Sequence, residues 1–116
     1  MDLQPTSIRQ ALEYLVDQRA SAVEPRCFSD LFDRLIWLES DNGKDLLQVM
    51  SIWLESDDYY RVKVALGLEE AFLFDSRTAM VDAFTRLGER WPEVKDRCDE
   101  ILTAWDMSVP SAASGP

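Results

Sequence analysis

Apolar residues recur at helical spacing along almost the whole of this chain, and no segment of useful length alternates polar and apolar residues as a strand does. Residues three and four positions apart lie on one face of a helix, so each such run describes an amphipathic helix. Glycine, which weakens helices, occurs only four times in 116 residues. The pattern predicts an all-α fold.

The periodic runs divide the chain into about six helices. We expect them over residues 7–20, 25–40, 44–55, 58–73, 76–91 and 92–107. Short turns between helices of this length favour antiparallel neighbours, which form either a helical bundle or a short stack of helical hairpins of the HEAT-like kind. Residues 1–107 are predicted to form a single all-helical domain, and residues 108–116 a disordered tail.

The same spacing predicts which side chains face the core. The fourth helix is apolar on two sides and is the expected central element. Both cysteines, Cys27 and Cys98, fall at positions that a helical pattern would bury. Expected core positions include Ile8, Ala11, Leu12, Leu15 and Val16 in the first helix, Phe28, Leu31, Phe32, Leu35 and Leu38 in the second, Leu46, Val49, Met50, Trp53 and Leu54 in the third, and Glu69, Phe72 and Leu73 at the end of the fourth.

The segment IWLESD occurs twice, at residues 36–41 and 52–57. In each copy the Trp and Leu are expected in the core, and the Glu-Ser-Asp is expected at an exposed helix end. Asp41, Asp57 and Asp58 are suited to cap the helices that follow them. Duplication of a helix end and coincidence over six residues both remain open explanations of the repeat.

Acidic residues outnumber basic ones by 22 to 12, which gives a net charge of −10. Such a surplus argues against binding to DNA, RNA or an anionic membrane surface, because those partners are held through their phosphates. It favours a basic protein partner. The alternative is that the charge serves solubility alone.

The residue types required for catalysis and metal binding are poorly represented. The chain contains no histidine, no Gly-rich phosphate loop and no recognisable nucleophile motif. Glu93, Asp96 and Glu100 share one side of the last helix, but Lys95 and Arg97 interleave with them, which is typical of a solvated face. We therefore expect no enzymatic activity, no cofactor and no metal.

The candidate partner-binding residues cluster around the repeated segment. Tyrosine is enriched in binding hot spots, since it buries a large ring and keeps a polar tip. An acidic patch beside two tyrosines is suited to a positively charged cleft, where it would compete with nucleic acid. The predicted partner-binding residues are Glu39, Asp41, Asp45, Glu55, Asp57, Asp58, Tyr59 and Tyr60.

The stretch Ser56-Asp57-Asp58-Tyr59-Tyr60 resembles a segment of the colicin-nuclease immunity bundles. Those are small acidic all-helical bacterial proteins in which acidic residues and a tyrosine pair bind a toxin. The helical-hairpin immunity proteins of contact-dependent and type VI secretion systems look similar in general pattern. The resemblance implies a cytoplasmic inhibitor that binds one toxin domain.

Two other functions are compatible with the sequence. A phage-encoded anti-CRISPR or anti-restriction protein could use the same carboxylates to mimic DNA, although mimicry needs charge along a strip and the densest cluster here is local. A chaperone or adaptor that holds a partner's helix would show an apolar groove, and exposure of Trp37 or Trp53 would favour it. The chain has no long apolar run and no secretion signal at its start, so we expect a soluble cytoplasmic protein.

Overall fold

The computed structural model describes residues 5–38, 40–41 and 43–108. Six α-helices and no strand lie in these residues, so the all-α prediction is confirmed. Either a bundle or a stack of hairpins is compatible with them. The helices are α1 (Pro5–Asp17), α2 (Pro25–Leu38), α3 (Lys44–Leu54), α4 (Tyr59–Leu66), α5 (Arg77–Arg90) and α6 (Lys95–Ser108), with a 3₁₀ turn at Pro92–Val94.

The chain divides into two compact units, Met1–Leu73 and Phe74–Pro116. The prediction of one domain over residues 1–107 stays a prediction. Of the predicted tail, Ser108 is the last residue of α6, and residues 109–116 lie outside the described residues. In the described part of the chain, every helix is too short or too polar to cross a membrane.

Side-chain caps start α4 and α5, whereas α3 has no side-chain cap bond. The carboxylate of Asp58 accepts a 3.2 Å hydrogen bond from the backbone N–H of Arg61 at the start of α4. The hydroxyl of Ser76 accepts a 3.1 Å bond from the N–H of Ala79 at the start of α5. These bonds satisfy amides that have no partner within the helix.

Helix α3 is the element around which the first unit packs. It contacts α1, α2 and α4. The fourth helix, which was the expected central element, packs against α2 and α3 and has no exposed residue, so it is central as well. The indole of Trp53 in α3 lies 6.1 Å from the ring of Phe32 in α2, measured between ring centroids. The predicted α3 stripe is confirmed, since all five side chains are buried: Leu46, Val49, Met50, Trp53 and Leu54.

Helix α2 buries a different face from the predicted one. Its buried residues are Ser29, Phe32, Asp33 and Ile36. The prediction for Leu31 and Leu38 was wrong, because these side chains are 41% and 78% exposed. The helix is turned by about one residue, or roughly 100°, relative to its most apolar stripe.

Polar contacts to the end of α4 explain this orientation of α2. The Ser29 hydroxyl donates a 2.7 Å hydrogen bond to the carbonyl of Val64. Both oxygens of the Asp33 carboxylate accept the N–H of Glu69 at 3.1 Å, and one also accepts the N–H of Glu70 at 3.2 Å. We call these contacts the α2–α4 junction. Since buried polar groups must be paired, Ser29 and Asp33 have to face α4.

The α2–α4 junction also ends α4 early. The helix was predicted to continue to residue 73, but it stops at Leu66 after eight residues. In a longer helix the amides of Glu69 and Glu70 would donate to carbonyls four residues earlier, whereas here they donate to Asp33. The prediction that Glu69, Phe72 and Leu73 face the core was therefore wrong, since Glu69 is exposed and the other two are only partly covered.

Gly67 is required at the junction because α2 passes so close to it. A Cβ atom at this position would come within 2.2 Å of the Ser29 Oγ and 2.8 Å of its Cβ. Any larger residue would force α2 away from α4 and lengthen the hydrogen bonds described above. Helix α4 therefore ends at the one residue type that allows this approach.

The two copies of the repeated segment are not equivalent in the fold. In the second copy Trp53 and Leu54 are 1% and 2% exposed, as predicted. In the first copy Trp37 and Leu38 are 64% and 78% exposed, so the prediction of a core position was wrong there. Burial is reversed at the isoleucine: Ile36 is buried and Ile52 is not.

Three further core predictions were wrong. Ala11 and Leu15 of α1 are exposed, because the buried stripe of that helix is narrow and holds Ile8, Leu12 and Val16. Cys27 is exposed on α2, as the orientation of that helix requires.

The second unit is a hairpin of α5 and α6. Its core includes Met80 and Phe84 of α5, with Val94 and Cys98 from the chain that follows. The guanidinium of Arg77 donates two hydrogen bonds, of 2.8 and 3.1 Å, to the carboxylate of Asp106 near the end of α6. These bonds hold the pKa of Asp106 below its usual range. Cys98 is buried, as predicted.

Replacing Asp33 with Ala tests the junction. Two backbone amides would lose their buried acceptor, so we expect the free energy of unfolding to fall by about 2 kcal/mol. Urea titration followed by circular dichroism measures the change. Asp30→Ala is the matched control, because Asp30 is an exposed acid on the same helix and its loss should change stability by about 0.5 kcal/mol at most. Equal midpoints for the two variants would contradict this account of α2.

Candidate functional site

The predicted carboxylates lie at opposite ends of α3. Asp41 and Asp45 lie at its N-terminal end, and the turn of residues 55–58 follows its C-terminal end. Eleven helical residues span about 16 Å. The structure therefore does not bring the two copies into one cluster, and Glu39 lies outside the described residues.

The carboxylate of Asp41 is held in place by the backbone. It accepts the N–H of Gly43 at 3.0 Å and that of Asp45 at 3.4 Å. Gly43 has a φ of +79°, a left-handed conformation that favours glycine. Asp41 is not the N-cap of α3, which is Gly43, but it accepts from amides at the start of that helix and is exposed to solvent.

At the other end of α3, the carboxylates of two helices meet at Arg61 of α4. Its guanidinium nitrogens lie 3.0 Å from Asp17, 3.5 Å from Glu13 and 3.6 Å from Asp58. Glu13 and Asp17 were not predicted as site residues. Their spacing of four places them on one face of α1, but nothing in the sequence pairs that face with α4.

We define the acidic surface as Glu13, Asp17, Glu55, Asp57 and Asp58. Arg61 meets three of these carboxylates, and its side chain is only 19% exposed. It lies against the buried indole of Trp53, with 5.2 Å between the guanidinium carbon and the ring centroid. Arg9 also contacts Glu13, at 3.1 Å. Because the five carboxylates of the surface outnumber these two cations, the surface presents negative charge to solvent.

The two predicted tyrosines have different surroundings. Tyr59 is half-buried, with the Nζ of Lys63 4.4 Å from its ring centroid. The hydroxyl of Tyr60 donates a 2.9 Å hydrogen bond to the carbonyl of Val23, and the guanidinium of Arg19 lies 3.6 Å from its ring centroid. Burial raises the pKa of Tyr60, and the charge of Arg19 opposes this shift. Tyr60 therefore ties the connection between α1 and α2 to α4, and its role towards a partner stays a prediction.

Sequence reasoning missed an apolar surface at the end of α2. Trp37 and Leu38 are exposed in its last turn, directly before the segment that contains Asp41. Large exposed apolar side chains beside polar ones are typical of interaction surfaces. Ser29 and Asp33, one helical turn apart, are the sequence signal that could have revealed this surface. If their side chains face inward to make specific hydrogen bonds, Leu38 cannot lie on the same buried face.

The second unit contains a groove of about 300 Å³ between α5 and α6. Burial raises the pKa of the Cys98 thiol in its lining to about 11, so the thiol stays protonated and unreactive at neutral pH. Among the described residues, no group of three or more Cys, Asp or Glu is placed to hold a metal ion. The groove is lined by Val81, Phe84, Thr85, Gly88, Glu89, Lys95, Cys98, Asp99 and Leu102.

We expect Tyr60→Phe to lower the free energy of unfolding by about 1 kcal/mol, because the Val23 carbonyl loses its donor. Tyr14→Phe is the matched control, since Tyr14 is 64% exposed and its variant should unfold at the wild-type urea concentration. Equal stability of both variants would show that the hydroxyl of Tyr60 does not hold the α1–α2 connection. Tyr60 would then be as suitable as Tyr59 for tests of binding.

Comparison with protein-family models, with curated proteins and with solved structures finds no match for this chain. Function is therefore inferred from the charge, exposure and contacts of its own residues.

Proposed function

We propose that this chain is a non-enzymatic binding protein that neutralises a basic protein partner, most specifically the nuclease domain of a bacterial toxin. The observation that carries the proposal is the acidic surface around Arg61, where Glu13, Asp17 and Asp58 share one guanidinium. Residues 1–73 contain fourteen acidic and seven basic residues, a net charge of −7 out of −10 for the chain.

The proposed mechanism is electrostatic occlusion. A nuclease must hold phosphates in a basic cleft, so a rigid acidic surface that enters the cleft competes with the nucleic acid. Complementary charge speeds the encounter, and it does so most at low ionic strength. The hydrogen bond that the Arg61 amide donates to the Asp58 carboxylate fixes the turn in advance, which lowers the entropy lost on binding.

Tyr59 is the candidate anchor within this surface. It follows Asp57 and Asp58 directly and is half-buried in the free chain. Its ring could bury its remaining area against a partner while the neighbouring carboxylates contact cations. Tyr59 also belongs to the stretch of residues 56–60 whose sequence resembles the immunity proteins.

A helix-binding adaptor is the second candidate function. The exposure of Trp37, at 64%, is the observation that favours it. An adaptor would hold an apolar helix without depending on the acidic surface, so its binding should change little with salt. The two functions therefore differ in ionic-strength dependence.

The test begins with the gene next to the one for this chain, which we expect to encode a toxin with a basic nuclease domain. Binding of that domain to the chain is then followed by stopped-flow fluorescence and calorimetry. We expect one-to-one binding, loss of nuclease activity, and association slowed several-fold at low salt by Glu55→Gln with Asp57→Asn. Tyr59→Ala should weaken the affinity by about 2 kcal/mol, or roughly thirtyfold.

Glu93→Gln with Asp96→Asn is the matched control, since it removes two exposed charges from the second unit. Circular dichroism confirms that each variant is folded. The proposal fails if both charge pairs slow association equally, or if Tyr59→Ala leaves the affinity unchanged. A salt-independent affinity would support the adaptor instead.

A further inference from the structure

Arg61 connects carboxylates that come from two different helices. Its guanidinium lies 3.5 Å from Glu13 and 3.0 Å from Asp17 of α1, and 3.6 Å from Asp58, the N-cap of α4. One guanidinium can contact several carboxylates, because its five N–H donors point in different directions. Helix α1 itself packs chiefly on α3. The ion pairs of Arg61 therefore tie the C-terminal half of α1 to the start of α4.

This cation is more deeply buried than the carboxylates that it contacts. The side chain of Arg61 is 19% exposed, compared with 27% for Glu13, 57% for Asp17 and 47% for Asp58. It lies against the buried indole of Trp53, and packing against a rigid ring limits the conformations of the guanidinium. Arg61 is therefore held from below, and the carboxylates are more accessible to a partner than their counter-ion is.

The two carboxylates of α1 each keep an oxygen for a partner. Arg9 and Arg61 both contact the Oε2 of Glu13, and Arg61 contacts the Oδ1 of Asp17. Within the described residues, no group donates a hydrogen bond to the Oε1 of Glu13 or to the Oδ2 of Asp17. A Lys or Arg of a basic partner can bind these oxygens while Arg61 still holds the carboxylates in place.

Without Arg61, the carboxylates of α1 and α4 would repel one another. Arg9 would remain, but it lies on α1 itself, four residues before Glu13, and its ion pair does not join two helices. Repulsion at short distance favours separation of the end of α1 from the turn before α4. A partner would then have to bring the carboxylates together as it binds, which lowers its affinity.

We propose that Arg61 is the positioning residue of the acidic surface, which holds the carboxylates of α1 beside those of the turn before α4 so that one basic partner contacts both. The proposal rests on the basic partner of the proposed function. Its prediction is opposite to that of net charge alone. If charge decides affinity, removing a cation from this surface favours a basic partner, whereas loss of the positioning residue disfavours it.

The probe is a basic peptide of fixed shape, an eighteen-residue helix closed by lactam bridges with three Arg on one face. Its binding to the full chain is followed by fluorescence anisotropy at low ionic strength. Arg61→Met removes the charge and keeps an unbranched stem against Trp53, and we expect it to weaken binding at least about fivefold. Arg9→Met is the matched control, because it removes one charge beside the same Glu13. This control should bind at least as tightly as the wild type.

Arg61→Lys separates the position of the charge from its amount. It keeps the net charge of −10 but replaces the planar guanidinium with a compact ammonium, which cannot contact three carboxylates in the same way. We expect its affinity to lie between those of the wild type and Arg61→Met. Circular dichroism confirms that each variant is folded, and Arg61→Lys against the wild type decides the test if Arg61→Met does not fold.

Amide hydrogen exchange shows where the structure changes. The amides of Gln18 and Arg19 donate to the carbonyls of Tyr14 and Val16 at the end of α1. In Arg61→Met these two amides should exchange at least about tenfold faster than in the wild type, while the amides of α3 keep their rates. Equal acceleration in α1 and α3 would assign Arg61 to general stability and overturn the proposal.

Three other results would also overturn it. They are binding of the peptide by Arg61→Met as tight as by Arg9→Met, affinity of Arg61→Lys equal to that of the wild type, and no binding of the peptide by the wild type. Because no toxin takes part in these measurements, the positioning role of Arg61 can hold while the proposed toxin function fails, and the two results stay distinguishable.

Discussion

The carboxylate of Asp33, buried between α2 and the end of α4, sets the arrangement of the first unit. It accepts the amides of Glu69 and Glu70, so α4 ends after eight residues and the chain leaves the helix there. It also fixes which side of α2 faces inward. Burial raises the pKa of Asp33, and the hydrogen bonds from the amides of Glu69 and Glu70 oppose that shift without cancelling it.

The sequence predicted those parts of the fold that depend on local signals. The α3 stripe from Leu46 to Leu54 is strictly periodic, and the caps Asp58 and Ser76 act within three residues of their own positions. The orientation of α2 and the end of α4 depend instead on a contact between residues 36 or 37 positions apart. Helical periodicity in α2 favoured the wrong face, because it carries no information on the hydrogen bonds that Ser29 and Asp33 make with the distant end of α4.

The candidate site was predictable to a similar extent. The sequence predicted an exposed acidic turn followed by tyrosine, and the structure places the carboxylates of Asp57 and Asp58 in an exposed turn directly before Tyr59. Arg61, Glu13 and Asp17 could not be joined to them from sequence, since that contact depends on how α1 meets α4. The two repeated segments are identical in sequence, yet Trp53 is buried and Trp37 is exposed, because tertiary packing differs around them.

Under the proposed function, the acidic surface at the C-terminal end of α3 accelerates the encounter with a basic partner. That surface depends on how α1 meets the start of α4, where Arg61 contacts Glu13 and Asp17. The junction acts at the other end of α4, because it determines how α2 is turned and where α4 ends.

Amide hydrogen exchange at Glu69 and Glu70, followed by nuclear magnetic resonance, tests this account most directly. Both side chains are exposed and both residues lie beyond the end of α4, so neither helix formation nor side-chain burial would protect their amides. Bonding to Asp33 predicts exchange at least about a hundredfold slower than in an unstructured peptide. Exchange of both amides at the rate of an unstructured peptide would contradict the account.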